Sequence, residues 1–145
     1  MSSPKAQVEV LMNDLVDFAE KMLGTHGEFH PFGGYLNADE EIVHVGVSAA
    51  MSWSNDQERA DALASSFRLM AQQNRPIAFG IVTNVSFSDN GASSDAIRAF
   101  LEHVSGYCAD VFFHYVRSDG GIVSITDVTA QQGTPHLFSD GTAMS

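Results

Sequence analysis

Asp95-Ala96-Ile97-Arg98-Ala99-Phe100-Leu101-Glu102-His103-Val104 has two readings, and the fold turns on which one holds. Ile97, Leu101 and Val104 fit one face of a helix that Ser94 caps and Gly106 closes. Ile97, Ala99, Leu101 and His103 fit one face of a strand. The following residues decide for the strand. Ser105-Gly106 signals a turn, and Ala109 to Val116 is rich in β-branched and aromatic residues, so the two runs read as a hairpin.

Upstream, the period of two is clearer still. Ile77, Phe79, Ile81, Thr83, Val85 and Phe87 lie on one face of a strand, and Ala78, Gly80, Val82, Asn84 and Ser86 on the other. The second face is small-sided, which lets another element approach closely, a helix being the simplest case. Before it, Ser54 and Gln57 form a capping box, and Ala60, Leu63, Ala64, Phe67, Met70 and Ala71 make a helical stripe that Arg75-Pro76 must end. Downstream, Ser118-Asp119-Gly120-Gly121 is a turn signal, and alternation from Ile122 to Thr129 gives a last strand.

At the other end of the chain, Val8, Leu11, Leu15, Phe18 and Met22 recur at helical spacing among acidic residues. Ser3 caps this helix with Pro4 at its first position, and Gly24 is placed to end it. Tyr35-Leu36, the polar turn Asn37 to Glu41, and Ile42 to Val47 then read as a hairpin. The expected fold is α+β: an antiparallel sheet of about five strands with two amphipathic helices, in the order α-β-β-α-β-β-β-β. Its length of 145 residues suits one domain, expected over residues 1–138, with 139–145 as a flexible tail.

This element order is similar to that of profilin-like and roadblock-like sheets, which also place a hairpin, a helix and a three-strand meander in sequence. The strings Gly27-Glu28-Phe29-His30-Pro31-Phe32-Gly33, Asp95 to His103 and Phe112-Phe113-His114-Tyr115 resemble a family of small bacterial proteins marked by a GEFxPFG-type segment. That resemblance supports the strand reading of residues 95–104. It implies no activity and no catalytic residues.

Eighteen Asp and Glu against seven Lys and Arg give a formal charge of −11. Nucleic-acid binding draws on cations that neutralise phosphate, so this balance argues against DNA or RNA, and against anionic membrane surfaces. It suits solubility, or fast association with a basic protein. Cys108 is the single cysteine and forms no internal disulfide, and acidic residues interrupt the first amphipathic stretch where a signal peptide would be apolar. No run approaches the roughly 20 apolar residues of a membrane span. The expected setting is cytoplasmic.

The segment from His26 to Leu36 departs furthest from ordinary helix or strand composition. Phe29, Phe32 and Leu36 can fill the core where helix meets sheet, while Gly33 and Gly34 let the backbone turn. That leaves His26, Glu28 and His30, which would share one side if the segment is extended and could hold a metal there; the metal itself is unknown. Tyr35 completes this candidate binding set. Trp53, with Met51, anchors a partner if exposed and staples the start of the second helix if buried. Cys108, His103, Asp110 and His114 crowd one hairpin, yet alternation does not assemble a nucleophile and base, and Glu102 with Asp127 is the sort of carboxylate pair any acidic chain offers. No catalytic residue and no cofactor is assigned.

The leading functional expectation is a protein-binding module, an inhibitor or immunity-type protein that neutralises a basic partner. A second is a small-molecule or metal-binding protein using the turn around residues 26–35. A third is homodimerisation through an exposed strand edge.

Overall fold

A computed structural model describes residues 3–46, 56–73, 76–89, 92–118 and 120–138. The elements follow the expected order: α1 (Pro4–His26), β1 (Phe32–Leu36), β2 (Ile42–Gly46), α2 (Asp56–Gln73), β3 (Ala78–Asp89), β4 (Ala92–His103), β5 (Cys108–Arg117) and β6 (Val123–Gln132). The strands form one sheet of six in the order β2-β1-β3-β4-β5-β6, and every neighbouring pair is antiparallel. Residues 95–104 are strand to His103, as the hairpin argument requires. Trp53, Met51, Ser54 and the 139–145 tail lie outside the described residues.

β2 and β3 run parallel with β1 between them, and the connection that joins them carries α2. The two helices cover opposite faces. Val8, Leu11, Leu15, Val16, Ala19 and Leu23 of α1 share a core with Leu36, Ala78, Val82, Ile97 and Leu101. Leu63, Ala64 and Phe67 of α2 share the other with Phe79, Ile81, Phe100 and Leu137. Alternation along β3 thus sorts its residues from Ala78 on as expected: the small face meets α1, and the large face meets α2. Ile77, expected on the large face, precedes the strand and packs against the α1 core instead.

Close approach of α1 rests on a notch. Gly34 pairs with Gly80 across β1 and β3, and a Cβ on Gly80 would come within 2.7 Å of Leu15 Cδ1. A Cβ on Gly34 would lie 3.0 Å from Leu15 Cδ2 and 2.7 Å from the Val43 carbonyl. On the opposite face, a Cβ on Gly33 would stand 2.4 Å from the Gly80 carbonyl and 3.1 Å from the Phe67 ring. These glycines therefore do not turn the chain, contrary to the expectation. They sit inside a straight strand and make room for a helix on either side.

α1 also ends later than expected. It passes through Gly24 and stops at Gly27, whose φ of 78° is left-handed and whose N–H donates to the Leu23 carbonyl. Arg117 Nε donates to that same carbonyl at 3.0 Å, bringing a cation to the negative end of the helix. Gly24 has a packing duty instead, since a Cβ there would meet the Gly121 carbonyl at 3.2 Å. At the start of the helix, Ser3 Oγ accepts from the Ala6 N–H at 3.1 Å, as the cap reading requires.

Gly33→Ala is expected to cost about 1–3 kcal/mol, because overpacking against backbone cannot be relieved by a rotamer change. Gly46→Ala, with nothing within 4 Å of its Cβ, should stay within about 0.5 kcal/mol of the parent. Urea denaturation of the two variants checks this, and equal losses would remove the close-approach argument.

Candidate functional site

The residues singled out between 26 and 35 do not come together. His26 is the last residue of α1, and His26, Glu28 and His30 are all exposed, whereas Phe29 between them is buried on the α1 side. Tyr35 belongs to the other side of the sheet, packed edge-on to Phe79 with ring centroids 6.3 Å apart. Phe29, Phe32 and Leu36 fill the α1 core as expected. Among the described residues, no three His, Cys, Asp or Glu side chains are grouped to hold a metal ion.

Charged and polar side chains converge instead on the α2 face. Strand alternation aims Arg98, Phe100 and Glu102 to that side of β4, and Cys108 and Asp110 to the same side of β5. Glu102 is only 1% exposed. Its Oε1 accepts from the backbone N–H groups of His136 and Leu137 at 2.7 and 2.8 Å, and its Oε2 accepts from that of Phe138 at 2.9 Å. A buried carboxylate needs several donors in place of water, and here the chain after β6 supplies them as a strap. Leu137 fills the core beneath the strap, and Phe138 lies 5.0 Å from Phe79 between ring centroids.

α2 grips the strap from its other side. Arg68 Nε donates to the His136 carbonyl at 2.8 Å, and Arg68 Nη2 donates to His136 Nδ1 at 3.1 Å. Arginine can only donate, so Nδ1 is the acceptor, and the proton of the neutral ring is assigned to Nε2. The ring stacks on Phe100 at 4.8 Å, and burial pushes its pKa below the usual histidine value. One strand position away, Arg98 holds Asp110 through both Nε and Nη2, at 2.7 and 2.9 Å. This bidentate bond raises the guanidinium pKa more than burial lowers it.

Between α2, the sheet and the strap lies a cavity of about 130 Å³, lined by Gln57, Ala60, Asp61 and Ala64 of α2, Ile81, Thr83, Arg98 and Phe100 of the sheet, and His136. Small side chains on α2 leave the space, and the Arg98–Asp110 pair fixes one of its polar walls.

The cysteine cluster is inert as a nucleophile. Cys108 is buried, and burial together with Glu102 and Asp110 pushes its thiol up to about 12. His103 points to the α1 side, where its Nδ1 accepts from the Ser105 N–H and its Nε2 donates to Gln7 Oε1 at 2.7 Å. The Glu102 and Asp127 carboxylates are not partners: Glu102 holds the strap, while Asp127 accepts from the Val128 N–H on β6. Sequence reading missed Arg98 and Arg68, and paired Glu102 with Asp127 rather than with the strap. The parity that puts Phe100 in the core also puts Glu102 there, and that signal was present.

No protein-family model, curated protein or solved structure matches the chain. Among the described residues, no helix is long and apolar enough to cross a membrane.

Replacing Glu102 with Leu removes the acceptor of three strap N–H groups. Loss of about 2–3 kcal/mol is expected, as for charge-assisted hydrogen bonds, with amide exchange accelerated at 136–138 and retained protection in β3 and β4. Unchanged exchange in the strap would refute its dependence on Glu102.

His103 and His136 both have lowered pKa values in the folded chain, chiefly through burial. The unfolded chain therefore takes up protons first as pH falls. The stability these groups contribute is complete above their ordinary value of 6.5 and is lost as pH drops from there towards the folded values. Denaturation midpoints should fall between pH 7.5 and 5.5, and His103→Gln should flatten part of that slope.

Proposed function

We propose that this chain is a small protein-binding module of the inhibitor or immunity type, which presents an acidic surface to a basic partner. One observation carries the reading: exposed acidic side chains of α1 and of the β1–β2 turn gather on one flank of the fold. Of seven Lys and Arg, Arg68, Arg98 and Arg117 are committed to contacts within the fold. Glu9, Asp14 and Asp17 on α1 and Asp39, Glu40 and Glu41 in the β1–β2 turn are exposed.

Contacts between α1 and the first hairpin bring Asp14 and Asp17 to the same flank as the β1–β2 turn. Gln7 Nε2 donates to Glu40 Oε1 at 3.3 Å, and Asp14 pairs with His44. Phe18 lies on the same seam, edge-on to Phe32 at 5.2 Å and still 40% exposed. Acidic groups around a partly exposed aromatic suit a basic partner, with the field accelerating encounter and the ring adding contact. A cytoplasmic setting belongs to the same proposal and rests on the lone, buried Cys108.

The test is affinity capture from the native host, followed by association rates for the captured protein at low and high salt. A basic partner is expected, with kon falling at least about tenfold from 50 to 500 mM salt. Reversal of Asp39, Glu40 and Glu41 to Lys should lower kon similarly without unfolding the chain. Association indifferent to both salt and charge reversal would overturn the proposal.

A further inference from the structure

We propose that the cavity between α2, the sheet and the strap binds a small zwitterion of amino-acid type, its carboxylate received by Arg98, Thr83 and His136 and its ammonium group by Asp61. This site lies on the face of the sheet opposite α1, so it stands or falls independently of the acidic flank.

The polar groups divide into donors and an acceptor on facing walls. The Arg98–Asp110 pair uses Nε and Nη2, which leaves Nη1 without a protein partner among the described residues. His136 spends Nδ1 on Arg68, and its Nε2–H is likewise without one. Thr83 adds a hydroxyl from the sheet. Across the cavity, Asp61 on α2 has Gln57 Nε2 as a hydrogen-bond donor at 2.9 Å and no cation among the lining residues to offset it besides Arg98.

Charge balance selects a zwitterion over a simple anion. Around His136, Arg68 and Arg98 are matched by Glu102 and Asp110, which leaves Asp61 as the uncompensated charge. A bare carboxylate ligand would face that negative group, whereas an α-amino acid brings an ammonium to meet it. The floor between the two walls is apolar, made of Ile81, Phe100, Ala60 and Ala64, and takes a small aliphatic side chain. A cavity of about 130 Å³ has room for several waters, and its short apolar floor suits an amino acid with a short side chain. A few placed polar groups over an apolar floor are the ordinary anatomy of a small-molecule site.

The probes are L-valine, isobutylamine, which lacks its carboxylate, and isovalerate, which lacks its amine. Each is titrated into the whole chain by NMR and thermal melting. L-valine is expected to raise the melting temperature and to shift the Thr83 amide and His136 ring resonances saturably. The two fragments should bind at least about tenfold more weakly. Asp61→Asn, at an exposed helix position, should weaken L-valine about tenfold while binding isovalerate more tightly than the parent does, because the negative group facing its carboxylate is gone, and Thr83→Val should weaken both. Arg98 is left intact because its loss would strand the buried Asp110. The proposal is overturned if neither L-valine nor any other L-amino acid with a short side chain gives saturable shifts. It is equally overturned if isovalerate binds as tightly as L-valine and Asp61→Asn has no effect.

Discussion

Leu15 reaches the sheet where Gly34 and Gly80 face one another, and the separation allowed there sets how every other α1 side chain meets the strands. With a side chain at either position the helix would ride outward. Leu11, which also closes on Gly80, would lose contact with it, and dispersion falls steeply over a gap of even an ångström. Gly33 extends the constraint to the other face, where the Phe67 ring occupies the space a Cβ would take. Three glycines at the centre of the sheet thus hold two helices close to one pair of strands. The rest of the core is built outward from that contact, and Arg117 and the Gly121 turn secure the far end of α1.

The α2 face obeys a different rule. Its centre is aromatic, with Phe67 stacked on Phe79 at 4.5 Å, but its rim carries buried charge. Glu102 and Asp110 are both largely removed from water, and each is satisfied by a group that must come from another element: backbone N–H groups of the strap for Glu102, Arg98 of β4 for Asp110. Such arrangements contribute less to stability than to uniqueness, because a mispacked alternative leaves the charge alone. The strap, α2 and strands β4 and β5 are therefore fixed relative to one another by polar bonds. The cavity between them keeps its shape for the same reason.

Much of this architecture was legible. Period-two alternation from Ile77 identified β3 and placed its small face under a helix, and Ser105-Gly106 resolved residues 95–104 as strand because a turn followed by a β-rich run leaves little room for a helix. What misled was glycine. Gly24 read as a helix end and Gly33-Gly34 as a turn, because a local sequence shows a missing side chain without showing what fills its place. The site was hidden for a related reason. Arg68, Arg98, Glu102 and His136 are spread over 68 residues of separation between α2 and the strap, and no spacing rule links them; only the parity of Glu102 with Phe100 pointed inward. His26, Glu28 and His30 drew attention through their neighbours, whose composition is explained by packing.

The strap has a further consequence in time. The donors that satisfy Glu102 lie 34 to 36 residues after it in the chain. Until the strap docks, β4 can pair with β3, yet its inward carboxylate has water as its alternative to the strap, and closing the α2 side over it would bury an unsatisfied charge. Hydrophobic closure of that face is thereby deferred until the strap is made, while the α1 face, which carries no such charge, is free to pack first. A single glutamate on a core-facing position thus imposes an order of assembly on two cores that the finished fold shows side by side.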